Sequence, residues 1–117
     1  MSTPRHVELS EAGDITVVRF LDRRIIDTAN IEELGDELVS LVDKEGKTKL
    51  VLNFINVEFL SSASLNHLIR LDRKLKAKGG KMRLCNLRKE IHEVFVMTNL
   101  NRLFDIKTGE AEALTGF

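Results

Sequence analysis

Apolar residues change their spacing several times along the chain, and each change marks an element. Ile15-Thr16-Val17-Val18-Arg19-Phe20 is short, rich in β-branched residues and preceded by Gly13-Asp14, a common turn pair. It predicts a strand, paired as a hairpin with Val7-Glu8-Leu9. Ile31, Leu34, Leu38, Leu41 and Val42 then recur at helical spacing, with Glu32, Glu33, Asp36 and Glu37 largely between them on the solvent side. Asp27, Thr28 and Asn30 are cap candidates for this helix, and Asn30 with Glu33 has capping-box spacing. After Lys44-Glu45-Gly46-Lys47, the run Leu50-Val51-Leu52-Asn53-Phe54 is almost continuously apolar. Such a run suits a strand buried on both faces, at the centre of a sheet covered by helices.

Ser61-Ser62-Ala63-Ser64 opens a second helix carrying Leu65, Leu68, Ile69, Leu71 and Leu75. Lys74, Lys76 and Lys78 suit its negative C-terminal end, and Gly79-Gly80 stops it. Met82 to Cys85 predicts a short strand. Glu90 to Thr98 predicts a third helix, with Ile91, Val94, Phe95 and Thr98 at i, i+3, i+4 and i+7. Leu103 to Ile106 reads as a final short strand, and Glu110 to Leu114 as one terminal helical turn. The order β-β-α-β-α-β-α-β-(α) defines an α/β domain whose helical crossovers link mostly parallel strands.

Composition narrows the class. At 117 residues, 43% hydrophobic and 31% charged, the chain fits a single folded domain spanning 1–117. After Pro4 there is no proline, no Ser/Gly-rich linker and no repeat to mark an internal boundary. The lone Cys85 forms no intramolecular disulfide, and with Leu84 and Leu87 around it reads as a small buried apolar group. No apolar run approaches the roughly 20 residues of a membrane span, and residues 1–10 lack a signal-peptide core. A soluble, cytoplasmic protein without membrane insertion is the expectation.

Charge adds a second observation. The 18 basic and 18 acidic residues cancel, which weighs against direct nucleic-acid binding. The balance is uneven along the chain: residues 1–60 hold 7 Lys/Arg against 12 Asp/Glu, a net of −5, and residues 61–117 hold 11 against 6, a net of +5. The split fits either two solvated helix faces of different sign or a surface that orients a protein partner.

Catalytic chemistry is thin. Gly46-Lys47-Thr48 resembles the end of a phosphate-binding loop, but Leu41 stands where its first glycine belongs, and the order is helix–loop–strand rather than strand–loop–helix. His6, His67 and His92 are scattered without metal-ligand spacing, so no metal and no cofactor is expected. Ser62 has no nucleophile elbow, and His67 lies about 140° around the helix from it. The informative stretch is Asn53 to Leu65, where a buried strand leads through a short loop into serines at a helix N-terminus. One serine suffices as an N-cap, yet Ser61, Ser62 and Ser64 crowd the first turn. A phosphoryl group there would be tolerated by the helix dipole and would add roughly −1.5 to −2 charges.

With these residues in place, the chain resembles a STAS domain of the anti-sigma factor antagonist class from about Val7 to Leu114. The similarity is sharpest from Leu50 to Leu65, and extends through Gly79 to Leu87 and the ending Leu100 to Ile106. The family loop typically reads Asp-Ser-Ser/Thr-Gly-Leu with the first Ser phosphorylated. By position Ser61 stands at the Asp, Ser62 at the phosphorylated Ser, Ala63 at the second Ser/Thr and Ser64 at the Gly. Ser61, Ser64 and Asn66 therefore depart from the pattern, as does Asn99, which replaces a glycine and tolerates the left-handed conformation better than most residues. Asp22 or Asp27 stands where the family tends to place an Asp near the phosphorylation site.

The resemblance implies a STAS-type fold: a central, mostly parallel sheet of four to five strands with about four helices. It implies a non-enzymatic interaction module, monomeric when free, phosphorylated at Ser62 with Ser61 and Ser64 as alternates. The implied partners are an anti-sigma factor serine kinase and a metal-dependent serine phosphatase. The implied docking residues are Asp27, Ser61, Ser62, Ala63, Ser64, Asn66 and Arg70. Two other readings stay open: a constitutive STAS subunit of a signalling scaffold or transporter complex, and a small nucleotide-binding domain or enzyme.

Overall fold

The computed structural model describes residues 6–25 and 28–117. The chain enters through a hairpin, β1 (Val7–Ala12) and β2 (Ile15–Phe20), paired in register from Val7↔Phe20 to Ala12↔Ile15. Gly13 turns it at φ +65°, the left-handed conformation that glycine adopts at no steric cost. A two-residue strand, β3 (Arg24–Ile25), precedes α1 (Thr28–Asp43). Then come β4 (Lys49–Asn53), a second two-residue strand β5 (Phe59–Leu60), α2 (Ser62–Ala77) and β6 (Lys81–Cys85). The chain closes with α3 (Lys89–Met97), a 3-10 turn (Leu100–Arg102), β7 (Asp105–Lys107) and α4 (Glu110–Leu114).

The main sheet has the order β1-β2-β4-β6-β7, antiparallel only at β1–β2. Each parallel step moves in the same direction across the sheet, so the crossover helices share one face. The core confirms this. Leu50 and Leu52 of β4, Val18 and Phe20 of β2 and Leu84 of β6 pack with Leu38 and Val42 of α1, Leu71 and Leu75 of α2, and Ile91 and Phe95 of α3. The opposite face is covered by α4 and the residues after it, with Ala113, Leu114 and Phe117 over Ile15, Val17, Val51 and Cys85. Arg83 holds that strap down: it donates to the carbonyls of Ala113, Thr115 and Gly116 at 2.6–3.0 Å and lies 4.8 Å from the Phe117 ring centre. Since β4 is covered on both sides, Leu50, Val51 and Leu52 are all fully buried, as their unbroken apolar run predicts.

Two expectations shift. α1 begins at Thr28, so Asn30 lies within the first turn instead of capping it, and Glu33 turns away to the ring of His6. The last strand starts at Asp105: Asn99, at φ 60°, starts the 3-10 turn, and Phe104 drops into the core edge-on to Phe95 at 5.8 Å. The paired strands β3 and β5 were not foreseen, because two residues each leave no period-two pattern to read.

Among the described residues no helix is long and apolar enough to cross a membrane. The glycines after α2 do more than stop it. Gly79 at φ +73° and Gly80 donate their N–H groups to Lys76 O and Leu75 O, the two reverse bonds of a Schellman cap. Gly80 also lies so close to the Thr48 carbonyl that a Cβ would overlap it.

Candidate functional site

The C-terminal ends of β2 and β4 open onto the loop that feeds α2, and a chain of hydrogen bonds fixes that loop. Asn53, buried at the end of β4, accepts from Ile55 N and Asn86 Nδ2 at 3.0 Å and donates to Glu110 at 2.9 Å. Asn56 Nδ2 donates to Phe20 O at 3.2 Å, and the N–H groups of Glu58 and Phe59 both donate to Arg23 O. The pairing of β3 with β5 continues this stitching up to the helix, where Ser61 N donates to Ile25 O at 3.1 Å.

The three serines then separate by role. Ser61 is the N-cap of α2, with extended backbone (φ −88°, ψ 163°) and Oγ accepting from Ser64 N at 3.4 Å. Ser64 is buried, and its hydroxyl donates to Ser61 O at 2.6 Å and weakly to Ile25 O at 3.5 Å. Ser62, the first residue of the helix, is exposed, and its hydroxyl has no partner among the described residues. The capping requirement is thus met by Ser61, and the Ser62 oxygen stands free at the positive end of the helix.

Ala63, Asn66 and Arg70 are exposed on α2, and Ser62, Asn66 and Arg70 succeed one another at intervals of four along one side. The buried Ser64 is part of the packing beneath that surface, so its hydroxyl is not offered to a partner. Asp27 lies outside the described residues. Asp22 is committed elsewhere: its carboxylate sits 2.6 Å from His6 Nδ1. Neither His67 nor His92 comes into the serine cluster as a base in any described hydrogen bond. His67 instead packs where α1 passes α2, its ring filling the space beside Gly35. Cys85 is fully buried, and burial together with the charge of Glu110 pushes its thiol up to about 11. Among the described residues no group of three or more His, Cys, Asp or Glu is arranged to hold a metal ion.

Sequence reading missed the His6 cluster. His6 is buried just before β1, with Nδ1 facing Asp22 and Nε2 facing Glu33 at 2.8 Å, while its backbone N–H reaches the Glu37 carboxylate at 3.0–3.2 Å. The partners lie 16, 27 and 31 residues away, and the only early signal is the acidic side of α1. Burial disfavours the charged ring, but hydrogen bonds to Glu33 and Asp22 and the charges of Asp22 and Glu37 outweigh it, and its pKa is raised.

These features define a small α/β domain with its three crossover helices on one face of the sheet and α4 on the other, whose candidate site is a surface at the strand ends instead of a cavity. The chain belongs to the STAS domain family, whose model matches residues 6–113. It is 29% identical over 93 residues, 80% of this chain and 79% of the other, to BtrV of Bordetella bronchiseptica, a candidate anti-sigma factor antagonist. An anti-sigma factor antagonist from Mycobacterium paratuberculosis has the same fold, with TM-score 0.81 and 22% identity over 93% of this chain and 90% of that one. The Bacillus cell-fate determinant SpoIIAA, in its phosphorylated form, matches at TM-score 0.70 and 21% identity over 92% and 96% of the two chains. Its unphosphorylated form matches at 0.69 and 18% identity, covering 91% of each. The protein is an anti-sigma factor antagonist-like STAS domain.

Proposed function

We propose that the protein is a phosphorylation-controlled interaction module. In its unphosphorylated form it binds an anti-sigma factor of the serine-kinase type, and that kinase modifies Ser62. A metal-dependent serine phosphatase resets it, and the protein itself is not an enzyme. The observation that carries this reading is the division of labour among the serines: Ser61 caps α2, Ser64 is buried, and Ser62 alone is exposed with an unengaged hydroxyl. A phosphate on that oxygen meets the unpaired N–H groups and positive dipole end of a 16-residue helix, so it needs no refolding. The phosphorylated and unphosphorylated forms of SpoIIAA match this chain about equally well, which supports a switch that acts through surface charge. Ala63, Asn66 and Arg70 on the exposed side of α2 extend the docking surface, and Asp27, which lies outside the described residues, is proposed as a further member.

Phosphopeptide mapping from native cells, with pull-down of Ser62→Asp against wild type, tests the reading. Phosphate at Ser62 and loss of the kinase from the Ser62→Asp eluate are expected. A protein that never carries phosphate, and whose two forms retain the same partners, refutes it.

A further inference from the structure

Three large apolar side chains stand exposed on adjacent segments at the same end of the sheet as Ser62: Leu21 (45%), Ile55 (52%) and Phe59 (51%). Leu21 and Ile55 each lie two residues beyond Arg19↔Asn53, the last parallel pair of β2 and β4, Leu21 just past the end of β2 and Ile55 in the turn that follows β4. Phe59 belongs to β5, directly before Leu60, Ser61 and the start of α2, and the bond from its N–H to Arg23 O ties it to the segment after Leu21. Nothing in the fold requires this exposure, since the sheet has a filled core on both faces.

The rim of this patch is basic. The Arg24 guanidinium lies over the Phe59 ring at 5.1 Å, while Arg23 and Arg88 approach Glu58 from two sides at 3.9 and 3.8 Å. Three arginines and one glutamate are thus gathered beside the Phe59 ring and the segment that carries it. Aromatic residues and arginines are enriched at protein interfaces, and an exposed Phe flanked by arginines fits that composition.

We infer that Leu21, Ile55 and Phe59 form the apolar anchor of the docking face, and that the partner is a protein surface presenting an apolar pocket ringed by carboxylates. This rests on the proposed switch at Ser62, and it supplies the switch with a charge mechanism. A phosphoserine adds about −1.5 to −2 charges at pH 7, opposite in sign to the arginines beside Phe59. Phosphorylation then cancels the attraction for an acidic partner and places like charge against its carboxylates, while the apolar anchor stays unchanged. Affinity falls mainly through lost electrostatic complementarity.

The experiment measures binding of the purified serine-kinase anti-sigma factor from the same organism, held in ADP so that no phosphate is transferred. The proteins compared are wild type, Phe59→Ala, Arg23→Glu/Arg24→Glu, Ser62→Asp and the triple combination, each checked for unchanged fold by circular dichroism. Phe59→Ala is expected to weaken binding at least about tenfold. The charge reversal is expected to lower the association rate and its salt dependence, and to leave Ser62→Asp little further effect in the triple variant. If wild type binds and Ser62→Asp weakens it, while Phe59→Ala and the arginine variant bind as wild type does, the anchor is overturned and the phosphorylation reading stands. If wild type does not bind the kinase at all, both fall. Co-sedimentation with phosphatidylserine vesicles that is lost in Phe59→Ala, without kinase binding, assigns the patch to a membrane and overturns the protein partner.

Discussion

Replacing His6 by glutamine isolates the cluster that ties the first strand to α1. The ring is 8% exposed and contacts two carboxylates at 2.6 and 2.8 Å, Asp22 being 30% exposed and Glu33 56%. Only the imidazolium has an N–H for each of them; a neutral ring has one and turns a lone pair toward the other carboxylate. A charge-assisted hydrogen bond in a partly buried setting is worth about 1.5–3 kcal/mol, and the one to the better-exposed Glu33 about 1 kcal/mol or less. Glutamine donates to one carboxylate without charge, so the variant loses about 2–3 kcal/mol at acidic pH, roughly 8–15 °C in melting temperature for a domain of this size.

The dependence on pH has a definite sign. The folded pKa of His6 is raised above the ordinary 6.5, so its contribution is complete below that value and is lost as pH rises through the folded pKa. The gap between wild type and His6→Gln should therefore be wide at about pH 5.5 and narrower at about pH 8.5. Urea titrations at the two pH values measure it, and an NMR titration of the His6 ring protons gives the pKa directly. A gap that does not change with pH, or a ring that titrates at or below 6.5, refutes the reasoning. Asp22 leads directly to β3, whose pairing with β5 precedes Ser61, so loss of the cluster should also speed amide exchange at Ile25 and Ser61.

Gly80→Ala should destabilise by about 1–3 kcal/mol in thermal melts, because the new Cβ meets the Thr48 carbonyl, a backbone atom that cannot rotate away. Ser61→Ala should cost about 1 kcal/mol through the lost cap of α2, whereas Ser62→Ala should leave the melting temperature nearly unchanged, and equal losses would refute the assigned roles. Cys85, fully buried with its thiol held at about 11, should resist a thiol reagent at pH 8 until the protein is unfolded in urea; prompt labelling of the native protein would contradict its packing.

What could be read in advance depended on how local the signal was. The run Leu50 to Leu52 announced a covered strand, and the leucines of α2 announced a helix, because each pattern is repeated within one element. The position of Ser62 at a helix start was legible for the same reason. Which serine caps and which is buried was not, since that depends on where the preceding strand pair β3–β5 delivers the backbone. The His6 cluster and the Leu21–Ile55–Phe59 patch were silent for a related reason. Each joins residues from separate segments, and a lone histidine or an isolated exposed apolar residue carries no periodicity.

The uneven charge along the sequence acquires a place in the fold. Its acidic half puts Glu32, Glu33, Asp36, Glu37 and Asp43 on α1, and its basic half puts Arg70, Arg73, Lys74 and Lys76 on the adjacent α2, with Lys78 at its C-cap. Some of these charges are already paired: Lys74 and Lys78 bond Asp43 at 3.0 and 3.5 Å across the helix boundary, and Lys76 bonds Asp72 at 2.9 Å. Lys74 and Lys76 lie in the C-terminal half of α2 and Lys78 just beyond it, all more than two turns from Ser62. A phosphate at the N-terminus therefore finds no lysine of its own helix within reach, and beyond a Debye length of about 8 Å the distant ones are screened. The nearest cation along α2 is Arg70, eight residues on, while the arginines of the β3 segment, paired with the strand just before Ser61, face the apolar patch. The net charge of the whole chain is thus a poor guide to what one phosphate would do. On the proposed docking face a phosphate at Ser62 would act against Arg23, Arg24 and Arg88 around Phe59, where about two added negative charges are a large local change.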